Sequence, residues 1–100
     1  MATTSKVLFR GAASTSSTTL YTTPSATTTI VTNILVTNTA SADATFNILL
    51  DDVSAATFVT VGGYDTTVID LKQALVATDT IKGLASATTV NFHISGVEIA

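Results

Sequence analysis

The chain has no cysteine and no tryptophan, a single proline, and charged residues make up only 11% of it. Each shortage excludes something. Without cysteine there are no disulfides, no thiolate nucleophile and no sulfur ligand for a metal, so stability must come from packing. Without tryptophan, sugar recognition would fall to the two tyrosines, Tyr21 and Tyr64. Four Lys and Arg stand against seven Asp and Glu, a net charge of −3. That leaves no basic field to neutralise phosphates and argues against nucleic acid or an anionic membrane as direct partners. No apolar run approaches the roughly 18 residues of a membrane-crossing helix. The start, Met1-Ala2-Thr3-Thr4-Ser5, has neither the basic residues nor the apolar core of a secretory signal. No Asn-x-Ser/Thr acceptor is present, which fits a bacterial setting. The expectation is a protein made in a bacterial cytoplasm and used as made.

What the chain does have is threonine, about a fifth of its residues, and a hydrophobic share of 46%. One hundred residues suit one domain, 1–100, able to bury roughly 60–70% of its unfolded surface. Thr, Val and Ile lose side-chain freedom against a helical turn, and no stretch sustains an apolar 3.6-residue period, so strands are expected throughout.

Lys6 to Arg10 alternates, with Val7 and Phe9 on one side and Lys6, Leu8 and Arg10 on the other. Gly11 to Thr18 reads as a loop, and Thr19 to Thr22 as a short strand ended by Pro24. The long segment Thr27 to Thr39 carries Ile30, Ile34 and Val36 on one face. Its second face is too apolar to be merely wet, because Val31 and Leu35 sit there beside Asn33 and Thr37. Ala44 to Leu50 repeats the puzzle, with Phe46, Ile48 and Leu50 inward and Thr45, Asn47 and Leu49 outward, and Asp51-Asp52 stops it. Gly62-Gly63 between Thr57–Val61 and Tyr64–Leu71 suits a two-residue hairpin turn, whose angles favour glycine. Lys72 to Ala77 fits either a short strand or a turn. Asp79 to Leu84 is a strand in which Gly83 is a candidate bulge. In Thr88 to Ile99 the inward set Val90, Phe92, Ile94 changes phase to Val97 and Ile99, and a bulge at Ser95-Gly96 would absorb the slip. Roughly eight strands at about ten-residue spacing predict an all-β fold, a single antiparallel β-sandwich of jelly-roll or Greek-key type.

Catalytic chemistry finds no footing. His93 is the only histidine and no spacing supplies it with partners. No Gly-x-Ser-x-Gly elbow surrounds any serine. Gly62-Gly63 lacks the following Lys and helix of a phosphate loop. Asp51-Asp52 is half of an oxygen site for a cation, which only subunit symmetry could complete, and a solvated strand end is the simpler reading. The four phenylalanines, Phe9, Phe46, Phe58 and Phe92, all fit core positions. The Thr-x-Thr pairs have no fixed repeat period, so they signify β propensity rather than an ice-binding face. No cofactor is expected.

From Leu20-Tyr21-Thr22 through Pro24 into IVTNILVTNT, then LVATDTIKGLAS and VNFHISGVEI, the chain resembles small virion structural proteins of tailed bacteriophages. Relatives of that kind commonly carry glycine in the turn after the proline and before the Asp of Asp-Thr-Ile, where this chain has Ser25-Ala26 and Thr78. The resemblance implies a non-enzymatic β-sandwich that decorates or cements a capsid, bound to the major capsid protein on the exterior of the virion. A homo-oligomer is implied with it, a trimer being the leading count. A tail or fibre component, and a free carbohydrate-binding module using Tyr21 or Tyr64, are the alternatives. The residues themselves point to one candidate interface, comprising Lys6, Leu8, Arg10, Val31, Asn33, Leu35, Thr37, Asn47 and Leu49, with Met1 to Ser5 as a candidate extended arm.

Overall fold

The computed structural model describes residues 2–100. Eight strands follow one another: β1 Thr3–Ala12, β2 Thr18–Thr22, β3 Thr28–Asn38, β4 Ala44–Leu50, β5 Val53–Val61, β6 Thr66–Leu75, β7 Thr80–Ala85 and β8 Val90–Ile99. They form two four-stranded sheets, β1-β8-β3-β6 and β2-β7-β4-β5, with every pairing antiparallel. This interleaved order, in which the chain repeatedly leaves one sheet to pair in the other, is that of the jelly roll. The all-β sandwich expected from the sequence is therefore the observed fold.

The core is the layer between the sheets. Phe92, Ile94, Ile34 and Val36 from the first sheet meet Phe46, Ile48, Ile81 and Val61 from the second, all nearly or wholly without exposure. The rings of Phe46 and Phe92 lie edge to face across it, their centroids 6.1 Å apart. Regular alternation is visible in β7 and most of β8, where inward residues pack and outward ones stay half-exposed.

Several expectations need correction, and extra residues in strands explain most of them. In β3 the register against both neighbours slips between Val31 and Asn33: against β8 Thr32 is left over, while against β6 Thr32 stands opposite two residues, Leu71 and Lys72. Before the slip odd-numbered residues point inward and after it even-numbered ones do, so Val31 is fully buried, not outward. In β1 the slip falls between Val7 and Phe9; it turns Leu8 into the core and leaves Val7 46% exposed, the reverse of the simple alternation. The bulge expected in β8 at Ser95-Gly96 is not there: β8 keeps its alternation through Gly96, Val97 faces outward and not into the core, and the extra residues sit in the strands on either side. Gly96 explains the location. A Cβ there would lie 2.4 Å from the Ile30 carbonyl oxygen and 2.9 Å from Leu8 Cδ1, so the missing side chain is the space that both neighbours fill. Gly83 is likewise no bulge; it is buried on the core face of β7, and the extra residue of that pair is Leu20 in β2.

Turns differ as well. Gly62-Gly63 does not make a hairpin: β5 and β6 belong to different sheets, and the link between them crosses the sandwich. Its left-handed residue is Tyr64, at φ 57°, not either glycine. The tight two-residue hairpin is at Asp51-Asp52, with φ of 52° and 62°, directly joining the paired residues Leu50 and Val53. Phe58, expected in the core, is 70% exposed at an irregularity of β5, with φ of 47°. Residues 3–5 of the candidate arm are paired with Val97–Ile99 as the start of β1, and Met1 lies outside the described residues.

The two turns after Pro24 and before Asp79, which have no glycine, are both left-handed here, with Ala26 at φ 55° and Thr78 at φ 71°. Thr78 is the costlier, because a β-branched side chain crowds the backbone most at positive φ. Thr78→Gly should therefore stabilise the fold by about 1 kcal/mol, read as a higher denaturant midpoint at unchanged slope. A loss of stability would show that Thr78 contributes a contact outweighing its strain.

Candidate functional site

The outer face of the β1-β8-β3-β6 sheet is assembled from rows set by the strand register. Arg10, His93, Leu35 and Val68 make one row across the four strands. The next row is Val7, Ser95, Asn33 and Asp70, and beyond it come Ser5, Val97, Ile30 and Ala74. Down the two middle strands Leu35, Ile30 and Val97 alternate with His93, Ser95 and Asn33, and the edges carry Arg10 on β1 and Asp70 and Lys72 on β6. Val68 is 56% exposed and Leu35 half-buried. Arg10 Nε donates to His93 Nδ1 at 3.1 Å.

Of the nine residues singled out in the sequence, this face brings together Arg10, Asn33, Leu35 and Thr37. Thr37 shares a hydroxyl hydrogen bond of 3.1 Å with Thr66 on β6. Leu8 and Val31 belong to the core instead, for the register reasons given above. Lys6 turns to Glu98, 3.3 Å away. Asn47 and Leu49 lie on the opposite side of the molecule, on the outer face of the second sheet, where Asn47 Oδ1 accepts from the Phe58 amide at 3.1 Å. Two contributors escape the sequence reading, Ile30 and Val68. Ile30 is outward only because Thr32 is inserted after Val31.

Elsewhere the polar groups are structural. Tyr21 on β2 reaches across to the first sheet, where its hydroxyl bonds Thr29 Oγ1 at 2.8 Å and donates to Glu98. Burial, then the hydrogen bond to Glu98, pushes the Tyr21 hydroxyl above its ordinary range. The same bond, aided by Lys6 against some desolvation, holds Glu98 below its ordinary 4.5. A carboxylate depressed by folding contributes stability above its unfolded pKa and loses it as pH falls through the folded one. The chain should accordingly lose stability as pH drops below about 4.5. Glu98→Gln should be less stable than the parent at pH 7 and should lose less on acidification, by thermal melts from pH 7 to pH 3. Parallel curves for the two proteins would exclude Glu98 as a contributor. With its hydroxyl so engaged, Tyr21 is a latch between sheets and not a free sugar platform; Tyr64, 76% exposed, is not so engaged.

Asp51 and Asp52 sit in their tight turn, and Lys82 Nζ lies 2.7 Å from Asp52. The charge of Asp79, then desolvation and the charge of Asp52, push the Asp51 carboxyl upward. Among the described residues no group of three or more His, Cys, Asp or Glu side chains is placed to hold a metal ion. No helix is long and apolar enough to cross a membrane among the same residues.

No protein-family model matches the chain, and no curated protein does. Its fold does have likenesses among solved structures. It superposes on a chain of the T13 IBDV viral particle with a TM-score of 0.61 at 8% identity, over 97% of this chain and 30% of that one. A pentameric capsid protein isolated from metagenomic phage sequences is similar at a TM-score of 0.42 and 18% identity, over 94% of this chain and 59% of that one. The first likeness shows that almost the whole chain has the fold of a segment within the viral chain; the second is too loose to add to it. This chain spans less than a third of the length of the viral chain.

Proposed function

We propose that the chain is a non-enzymatic virion structural protein, a capsid decoration or cement protein that binds the lattice of major capsid protein from outside and stabilises the head. The observation that carries this reading is a complete jelly roll whose broadest exposed sheet presents Ile30, Leu35, Val68 and Val97 outward among uncharged polar side chains and holds no catalytic or ligand-binding constellation. Such a surface is suited to being covered by other protein. The resemblance of IVTNILVTNT and VNFHISGVEI to small phage structural proteins, and the likeness in fold to a chain of a viral particle, support it.

Charge is too sparse for an electrostatic clamp, so attachment relies on apolar contact and strand pairing and should survive high salt. The test is co-sedimentation with purified shells of a candidate major capsid protein, followed by electron cryomicroscopy of decorated particles. Density on lattice symmetry axes that persists at 1 M salt is expected. A protein that ignores the shells sinks the reading, and density confined to the tail transfers it to the tail or fibre. Leu35→Asp should weaken assembly at least tenfold, about 1.4 kcal/mol, while the fold still melts cooperatively. Loss of folding would instead make Leu35 an ordinary core residue.

A further inference from the structure

We infer that the cleft between the free edges of β5 and β6 takes a short extended segment of a partner polypeptide, which seats an aliphatic or aromatic side chain in the cleft and a Lys or Arg beside Asp51 and Asp79. This cleft opens at one side of the sandwich, between the sheets and not on the outer face assigned above to the capsid lattice. It is a second point of attachment and goes beyond that reading.

The first observation is that the core is left open there. β5 and β6 are the last strands of their sheets, on the same side of the sandwich. On its inner face β6 carries Ile69 and Leu71, which stay half-buried, and Gln73, which is exposed, whereas Ile34 and Val36 on the inner face of β3 are buried. A mismatch of size is the cause, because β5 faces them with Ser54, Ala55 and Ala56. A cavity of about 220 Å³ results, floored by Ile34, Ile48 and Leu50. That exceeds the roughly 150 Å³ of an apolar cavity that admits benzene, so a Leu, Ile or Phe side chain fits.

The second observation selects a polypeptide over a lipid tail. Among the described residues Thr67 to Leu75 of β6 have backbone partners only on β3, so alternate residues turn their N–H and C=O to the open side. An extended segment can take those bonds as an added strand and point every second side chain into the cleft. An acyl chain has no group for them. The two residues Leu71 and Lys72 opposite Thr32 bend this edge at the cleft, which confines pairing to a few residues and bars a long flat strand.

The third is charge. Adjoining the cleft, and sharing Leu50, Ala55 and Gln73 with it, lies a wider hollow of about 510 Å³ whose lining includes Asp51 and Asp79 and no cation. Lys82 is held by Asp52 at 2.7 Å, and Lys72 follows Asp70 in the outward phase of β6. Asp79 Oδ2 accepts the Val76 N–H at 3.0 Å, which fixes that carboxylate in place. Its charge is the foremost influence pushing the Asp51 carboxyl upward, and Lys82 opposes the shift only weakly. An incoming Lys or Arg neutralises this pair, whereas an incoming Asp or Glu adds to the repulsion.

The test is titration of the full chain, read by amide NMR shifts, with seven-residue peptides that alternate Thr with Val, Leu or Phe and end in Lys. Binding with the largest shifts at Ala55, Ala56 and Ile69 to Gln73 is expected, and replacing the terminal Lys by Glu should weaken it tenfold or more. Asp51→Asn/Asp79→Asn should remove the preference for Lys. Ala56→Leu should abolish binding by filling the cleft, and Ala55→Leu, at a more exposed position, takes its place where thermal melts show Ala56→Leu unfolded. No binding at millimolar peptide overturns the inference, as do equal binding of the Lys and Glu peptides, shifts centred on Leu35 and His93, or a cleft that takes decyltrimethylammonium but none of the peptides. Concentration-dependent shifts at the same amides without peptide overturn it too, since a second copy is then the occupant. Co-sedimentation with capsid shells is read separately, so failure here and failure of the lattice reading are distinguishable.

Discussion

Phe92→Ala should cost about 3–5 kcal/mol of stability, a large share of the roughly 5–15 kcal/mol available to a small domain. The side chain is fully buried near the start of β8 and packs edge to face on Phe46 of the facing sheet, at an interplanar angle of 70°. Truncation removes its transfer free energy, leaves a cavity between two sheets that cannot close independently, and abolishes an aromatic pair contributing about 0.5–1.5 kcal/mol. At about 4–8 °C per kcal/mol for a chain of this size, the melting temperature should fall by at least about 12 °C. The mechanism makes a sharper claim. A Cβ on Gly83 would lie 3.1 Å from Phe92 Cε2, 3.0 Å from Leu20 Cδ1 and 3.2 Å from Ile48 Cδ1, so Gly83→Ala alone overpacks the same spot. In the Phe92→Ala background the added methyl enters vacated space, and its cost should shrink or reverse. Additive losses across the four proteins would show that the two positions do not share the volume.

That pairing bears on what the sequence revealed. Phe92 and Phe46 were legible as core because each sits inside an unbroken alternation, and the strand count followed from regular turn spacing. Leu8, Val31 and Ile30 were not legible. One inserted residue reverses the facing of everything after it, and neither Leu8 nor Thr32 differs in type from a regularly paired neighbour. The sequence does show a slip around Gly96, yet β8 itself keeps its alternation through Gly96 and the slip belongs to the pairing with β1 and β3. What it lacked was the partner strands, since a bulge is a relation between two chains of residues and only one was in view. Turn chemistry misled for a related reason. Gly62-Gly63 has the composition of a hairpin turn, yet the residues at positive φ are Asp51, Asp52 and Tyr64, held there by sheet pairing and tertiary contacts rather than by preference. The candidate site was half-legible. Leu35, Asn33 and Arg10 stood out as outward, but the face becomes a surface only when the register sets Val68 and Asp70 of β6 beside them.

The absence of positive φ at Gly63 raises the question of why glycine is there, and close approach supplies the answer. A Cβ at this position would lie 2.0 Å from the Ser41 carbonyl oxygen and 2.5 Å from its carbon, a collision with backbone that no side-chain rotation relieves. The loop after β3 is pressed against this spot by its own hydrogen bonds. Gly63 N–H donates to Asp43 Oδ1 at 3.0 Å and Tyr64 N–H to the Ala40 carbonyl at 2.9 Å. Behind it, the buried Asn38 amide donates to the Ala42 carbonyl at 2.7 Å and accepts from the Ala40 N–H at 3.1 Å. Gly63→Ala must therefore displace the 39–43 loop or the β5–β6 crossing, and one or more of these bonds goes with it. Overpacking of about 1–3 kcal/mol adds to about 1 kcal/mol for each bond lost, so a destabilisation of about 2–4 kcal/mol is expected. Because the displaced atoms are local, amide exchange should accelerate first at Ala40, Gly63 and Tyr64, while the core strands β3 and β8 keep their protection up to the global limit. The opposite pattern, uniform loss across the sandwich with these three amides unchanged relative to the rest, would mean that the loop yields freely and that Gly63 is not what fixes the crossing between the two sheets.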